Sequence, residues 1–238
     1  MEVRQVKSEP LFDLTQEYDA MLHRGLKLSG ESREFFMRGR VADLAAELSS
    51  RREPRRILDL GCGLGHTAAY LASVFRGAQV IGVDTAAEAL GHAETHYGGD
   101  RVGFRHLDEF VPAGDFDLCY VNGVFHHIPP PARQEAVRKV IDSLSPGGFF
   151  AFFENNPWNP GTRLIMSRIP FDRGARTLSP RAARALLTSS GFRSIGRTRY
   201  LFFFPGPLRW LRFTERHLRR APLGAQYWLL GQKSAGID

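Results

Sequence analysis

The chain has 238 residues, 43% of them hydrophobic and 24% charged, and a formal net charge of +7. That suits one sizeable domain with a full apolar core, and no run of about 18 apolar residues is present to make a spanning helix. Arginine supplies 28 of the 32 basic residues, a compositional bias that weakens charge as evidence for an acidic partner. The start at Met1–Gln5 is polar, without a secretory core. Cys62 and Cys119 stand alone, without disulfide or metal-ligand spacing. The expectation is a soluble, cytoplasmic protein with reduced thiols in its core.

In chain order, Leu14, Tyr18, Met21 and Leu22, then Phe35, Phe36, Val41, Leu44 and Leu48, recur at helical spacing and predict a helical cap over residues 1–50. Arg56–Thr67 reads as a short apolar strand (Ile57, Leu58, Leu60) running through a glycine-rich turn into a helix with Tyr70, Leu71, Val74 and Phe75. A strand at 79–83, a helix from Ala86 to about Tyr97, and strands at Val102–His106 and Phe116–Val121 follow. A helix with Ala136, Val137, Val140, Ile141 and Leu144 on one face then leads to an aromatic strand, Phe149–Glu154. This alternation is the pattern of a parallel α/β sheet. Beyond it, Ser179-Pro180 opens a helix as cap and first turn. A sixth strand is expected over Phe192–Phe204 and an antiparallel seventh over Ala225–Gly231, with an insertion at Pro205–Gly224. The whole reads as one domain, 1–238, with its core at 51–155 and substrate-side elements at 156–238.

The glycine turn carries the first chemistry. Gly61, Gly63 and Gly65 permit backbone conformations and close approaches that a Cβ would block. A strand-end acid about 20 residues on, here Asp84, is where a ribose hydroxyl pair is held. A dinucleotide turn needs G-x-G-x-x-G; here the spacing is G-x-G-x-G, His66 stands where another glycine is required, and Asp59 would repel a diphosphate.

Asp59-Leu60-Gly61-Cys62-Gly63-Leu64-Gly65 resembles motif I of the class I S-adenosylmethionine (SAM) methyltransferases, whose cofactor has no phosphate and carries an amino-acid tail. The resemblance covers Ile57 to about Glu154, including the Leu144-Ser145-Pro146-Gly147-Gly148 run, and elsewhere holds only in outline. It implies an α/β, Rossmann-like sheet of seven strands, mostly parallel with an antiparallel last strand, with helices on both faces and a helical cap. It also implies SAM as cofactor and S-adenosylhomocysteine as product. By the same resemblance the cofactor contacts are Asp59, Gly61, Cys62, Gly63 and Gly65, then Asp84 and Thr85, Leu107 and Asp108 (the latter beside the adenine amine), and Asn122. Tyr18 and Arg40 in the cap either face the cofactor or are, respectively, packed and solvated.

Val124-Phe125-His126-His127-Ile128-Pro129 is similar to a hydrophobic–His–His–hydrophobic–Pro run of small-molecule methyltransferases, in several of which a histidine is the general base. An alcohol must lose its proton as the methyl arrives, and imidazole titrates near neutrality. Neighbours on a short helix or turn diverge by about 100°, so one of His126 and His127 is expected at the substrate and the other packed or hydrogen-bonded. Glu154 either positions a hydroxyl, assists a histidine or caps the next turn. The expected reaction is O-methylation of a small molecule, sugar or lipid-linked glycan. A nitrogen or carbon acceptor, or a non-catalytic SAM-binding partner protein, is the alternative.

Asn155–Pro160 is expected to be a rigid substrate-side loop in which Trp158 walls the ligand or anchors the loop. No nucleic-acid-binding module is visible, so no nucleic acid is expected. On a helical wheel Arg209, Arg212, Arg216, Arg219 and Arg220 share an arc of about 100°, with Trp210, Leu211, Phe213 and Leu218 mostly opposite. Residues 208–220 therefore either lie on an anionic membrane surface or pack their apolar face on the sheet with the arginines in water.

Overall fold

The computed structural model describes residues 29–235 apart from 170, 171 and 173. Leu14–Leu22, with Tyr18, lies outside them. Helix α1 (Arg33–Leu48) leads to β1 (Arg56–Leu60), α2 (His66–Val74), β2 (Gln79–Asp84), α3 (Ala87–Tyr97), β3 (Val102–His106) and β4 (Phe116–Asn122). Then come α4 (Arg133–Ser143), β5 (Leu144–Asn155), α5 (Pro160–Arg168), α6 (Pro180–Ser189), β6 (Ser194–Ile195), β7 (Arg199–Leu201), α7 (Glu215–Leu218) and β8 (Gln226–Gln232). Among the described residues no helix is long and apolar enough to cross a membrane.

The sheet order is β3-β2-β1-β4-β5-β8-β6, with β7 also on β8. Strands β1 to β5 are parallel, and β8 runs antiparallel to β5, β6 and β7. Side-chain alternation sends each strand to two cores. Leu58, Cys119, Val121, Phe150, Phe152 and Leu229 face one, with Val137 and Val140 of α4 and Leu187 of α6. Ile57, Val80, Leu118, Tyr120, Phe153 and Trp228 face the other, with Val41 and Leu44 of α1 and Leu71 of α2. Both faces of the parallel strands are therefore covered, and the C-terminal ends of β1, β4 and β5 open at one edge.

Three expectations are corrected. The strand expected over 192–204 is two short ones, because the Arg184 guanidinium of α6 bonds the carbonyls of Ile195 (3.1 Å) and Gly196 (2.6 Å) and draws the chain out of the ladder. The sheet thus has eight strands. Ser145–Gly148 lies within β5 as an irregularity: Leu144 pairs with Phe116, then the register shifts before Leu118 meets Phe149.

The insertion is not an α-helix. Gly206–Thr214 is a 3₁₀ segment, non-helical at Leu208, followed by the single turn of α7. A 3₁₀ helix advances about 120° per residue, so the α-helical wheel misplaces its faces. Trp210 and Phe213 are 67% and 71% exposed. Arg212 turns inward, to Glu31 Oε1 at 2.7 Å and the Phe204 carbonyl at 3.0 Å, with its guanidinium 4.3 Å above the Phe35 ring. Arg219 meets buried Asp43 of α1 at 2.7 Å, and Trp228 Nε1 donates to the same carboxylate at 2.9 Å. The packed-face expectation for residues 208–220 holds only in part: Arg212 and Arg219 turn in to Glu31 and to Asp43 of α1, Arg209, Arg216 and Arg220 stay in water, and Trp210 and Phe213 are exposed beside them.

Candidate active site

At the end of β1 the chain takes positive φ at Gly61 (76°), Gly63 (50°) and Gly65 (82°). A Cβ on Gly61 would lie 2.3 Å from Val124, and one on Gly65 within 2.9 Å of Phe104 and Ala93. The turn is fastened by Asp84, whose Oδ2 accepts from Gly63 N (2.8 Å) and whose Oδ1 accepts from Thr85 N (2.7 Å) and Ala86 N (3.1 Å). Gly65 is the N-cap of α2 and offers no side-chain acceptor, so the helix presents amide donors toward the turn.

Behind the turn sits Asp59, 2% exposed, with Oδ2 buried and unpartnered. Burial foremost, and then the Asp84 charge, push its carboxyl up to about 7, although Arg40 pulls the other way. Arg40 is itself buried, not solvated: Nε donates to Tyr120 Oη and an Nη to Gln226 Oε1, both at 3.0 Å. A cavity of about 510 Å³ opens in front of these groups, walled by Gly61–Leu64, Arg40, Asn122, His126, His127, Asp172 and Phe202–Pro205. Phe202 holds φ +62°, a strained conformation for a bulky residue, while its ring packs against Phe35 and Phe36 of α1.

Across the cavity lies a buried polar corner. His126 and His127 occupy a turn after β4, their rings stand 4.1 Å apart and both line the cavity. Glu154, fully buried near the end of β5, accepts from Phe125 N at 2.8 Å and faces His126 Nδ1 at 2.6 Å. Asp172 Oδ1 lies 3.5 Å from His126 Nε2 and 3.4 Å from His127 Nε2, and has no hydrogen-bond partner. Burial opposes a charge on His126, but Glu154 and Asp172 outweigh it and hold the ring protonated up to about 10. Burial and the His126 charge hold His127 down at about 4 against weaker support from Asp172 and Glu154, so it is neutral at pH 7.

A family described as "Methyltransferase domain" matches residues 57–148. Trans-aconitate 2-methyltransferase of Streptomyces avermitilis is 29% identical over 207 residues, 77% of this chain and 76% of that protein. The protein of that name from Rhodopseudomonas palustris BisB18 is 26% identical over 132 residues, 56% of this chain. The chain spans about half the length of that relative, 51%. A SAM-dependent methyltransferase structure from Archaeoglobus fulgidus superimposes with a TM-score of 0.64 at 18% identity, over 85% of this chain and 95% of that one. The chain carries a class I methyltransferase domain.

The cofactor such a domain takes is SAM, and the residues present fit it. The methyltransferase turn leaves Gly63 with open space where a Cβ would stand. Asp59 is a buried acceptor lacking a partner, suited to an ammonium on the amino-acid tail. Asn122 Oδ1 is a second buried acceptor without a partner, on a residue that lines the cavity.

The expected contacts divide. Gly61, Cys62, Gly63 and Asn122 line the cavity, whereas Asp59, Gly65, Asp84, Thr85, Leu107 and Asp108 are not on its wall. Asp84 and Thr85 lie at the end of β2. Leu107 donates its N–H to the Asp84 carbonyl at 2.8 Å, while Asp108 is exposed and faces His106 at 3.6 Å. Cys62 and Cys119 are free and buried, and burial raises both thiols, which disfavours the reactive thiolate.

Glu154 is absent from the cavity wall: it assists His126 and fastens the turn rather than touching a ligand. Trp158 is 51% exposed and also off that wall; its loop is anchored by Asn156, whose Nδ2 bonds the carbonyls of Pro222 and Gly224. Sequence reasoning missed Asp172. It lies 45 residues beyond His127 in the chain, and its only local signal was the end of a short helix.

Proposed function

We propose that the protein transfers the methyl group of SAM to an oxygen of a small-molecule acceptor bound over the histidine corner. SAM, when bound, supplies a methyl on a positively charged sulfur; the S–CH₃ bond breaks as O–CH₃ forms, and the electron pair stays on sulfur to give S-adenosylhomocysteine. The observation that carries the reading is that the glycine turn Gly61–Leu64 and the pair His126–His127 line one cavity, with Asp59 buried in β1 two residues before the turn. Cofactor and acceptor can thus be aligned in the geometry in-line displacement requires.

The two histidines take different parts. His126 is held between Glu154 and Asp172 as a cation and positions the corner. His127 is neutral and lines the cavity, so it is the residue to accept the proton of a hydroxyl acceptor, with Asp172 beside it to favour the imidazolium formed. Asp84 and Thr85 hold the ribose end and Leu107 and Asp108 the adenine end in this reading, in keeping with their places after β2 and β3. The name of the relatives suggests a second acceptor class, a carboxylate. It would arrive ionised and need no base, and Arg40 on the cavity wall supplies a counter-charge.

Purified protein with methyl-labelled SAM and source-cell extract provides the test. Protein-dependent label in a small-molecule fraction supports the reading, and SAM binding without any transfer to extract would leave a non-catalytic SAM-binding protein. Turnover undiminished in His127→Ala would move the acceptor to a carboxylate or to nitrogen or carbon. A lipid-linked acceptor is the finer form, with residues 208–220 touching an anionic membrane. Its support is the exposure of Leu208, Trp210, Phe213 and Leu223 beside exposed Arg209, Arg216 and Arg220.

A further inference from the structure

We propose that His126, His127 and Asp172 form a binding site for a divalent transition-metal ion of the zinc type, open on the cavity. One ligand atom from each of the three lies within 4.8 Å of the others. The separations of Asp172 Oδ1 from the two Nε2 atoms are 3.5 and 3.4 Å. A charge-assisted N–H···O bond is about 2.7–2.9 Å, so these pairs are long for direct bonding. They match the edge of a tetrahedron whose metal–ligand bonds are about 2.1 Å, roughly 3.4 Å.

Two further observations point to a ligand. Asp172 Oδ1 is a buried carboxylate oxygen with no hydrogen-bond partner, its side chain 5% exposed. Glu154 lies 2.6 Å from His126 Nδ1, the place from which a carboxylate takes the far N–H of a metal-bound imidazole, orients the ring and raises its basicity. Two imidazoles and one carboxylate suit zinc or a neighbouring first-row ion rather than magnesium or calcium, which prefer oxygen ligands throughout. Three protein ligands leave a fourth position, and all three residues line the cavity.

The role of the ion rests on the proposed methyl transfer; its binding does not. With the ion present, both Nε2 lone pairs are committed to it: His126 releases its Nε2 proton to solvent and keeps the Nδ1 proton facing Glu154, and His127 no longer serves as the base. A hydroxyl held against the cation then loses its proton to solvent rather than to imidazole.

The test is titration of the metal-free full chain with Co²⁺ followed by visible absorption, with SAM affinity and labelled transfer measured on the same samples. About one equivalent with the strong bands of a four-coordinate site, displaced by Zn²⁺, is expected. Asp172→Asn and His127→Ala should each weaken binding at least tenfold, and Glu154→Gln by about 10–100-fold, with SAM affinity retained as evidence of folding. His92→Ala serves as control, because His92 and His96 stack at 3.9 Å on α3 and could bind cobalt adventitiously; it should change nothing. Equal cobalt affinity in wild type and Asp172→Asn, or loss of the signal in His92→Ala, would overturn the site. Methyl transfer without cobalt binding removes the metal and leaves the proposed function; cobalt binding without transfer does the reverse.

Discussion

At the residue scale, Asp59 holds a proton that an ordinary aspartate has lost, at about 7 against 3.8. Between those values the unfolded chain is ionised at this position while the native one is protonated. Stability therefore falls as pH rises through the window and is lowest, on this account, above about 7. Asp59→Asn should raise the unfolding midpoint of the ligand-free protein at pH 8 by several degrees and abolish SAM binding. In wild type an incoming ammonium must displace that proton, so SAM affinity should climb by close to tenfold per pH unit from pH 5 toward 7. Calorimetry across that range checks it; a flat profile would place the ammonium elsewhere. The histidines should separate just as cleanly. His126→Ala strands the buried Glu154 carboxylate, at a cost of about 3–5 kcal/mol, visible as a fall in unfolding midpoint. His127→Ala should spare both the midpoint and SAM affinity and lower kcat about 10²–10⁴-fold.

At the scale of elements, the strand–turn–helix unit separates packing from binding. Gly65 combines φ +82° with a Cβ position crowded by Phe104 and Ala93, so Gly65→Ala should cost about 1–3 kcal/mol. Gly63 faces open space, so Gly63→Ala should cost about 1 kcal/mol or less yet weaken SAM binding by filling the cavity wall. Denaturant unfolding beside calorimetric SAM titration distinguishes the two; equal effects on both measurements would contradict the assignment. Strands β1, β2, β4 and β5 were legible because burial on both faces leaves near-continuous apolar runs, whereas β3 at the sheet edge has no buried residue. Strand six was not, since Arg184, distant from it in the chain, takes two of its carbonyls. Residues 205–224 were misread because an α-helical period was imposed on a segment that turns three residues at a time.

At the scale of the molecule, the insertion is tied to the segment before α1 by Arg212–Glu31 and to α1 itself by Arg219–Asp43. The aromatic side chains left outside define the membrane hypothesis. Trp210→Ser with Phe213→Ser should shift stability by no more than about 0.5 kcal/mol for each exposed site, and should reduce flotation with anionic vesicles at low salt. No flotation of wild type under those conditions would end the membrane reading. Restored packing of those aromatics would instead show as a marked loss of stability in the double variant.

Periodicity and local spacing were enough to determine the parallel core, the glycine turn with Asp59, the acid Asp84 at the end of the next strand, and the histidine pair after β4, because each is written within one strand and the turn that follows it. What only the tertiary structure decided depends on distant contacts. It put Glu154 behind His126, brought Asp172 to both imidazoles, buried Arg40 beside Asp59, and turned Arg212 and Arg219 of the insertion onto Glu31 and Asp43. No short-range pattern encodes a corner assembled from β4, β5 and the segment after α5, because its members meet only when the sheet brings those chain segments together.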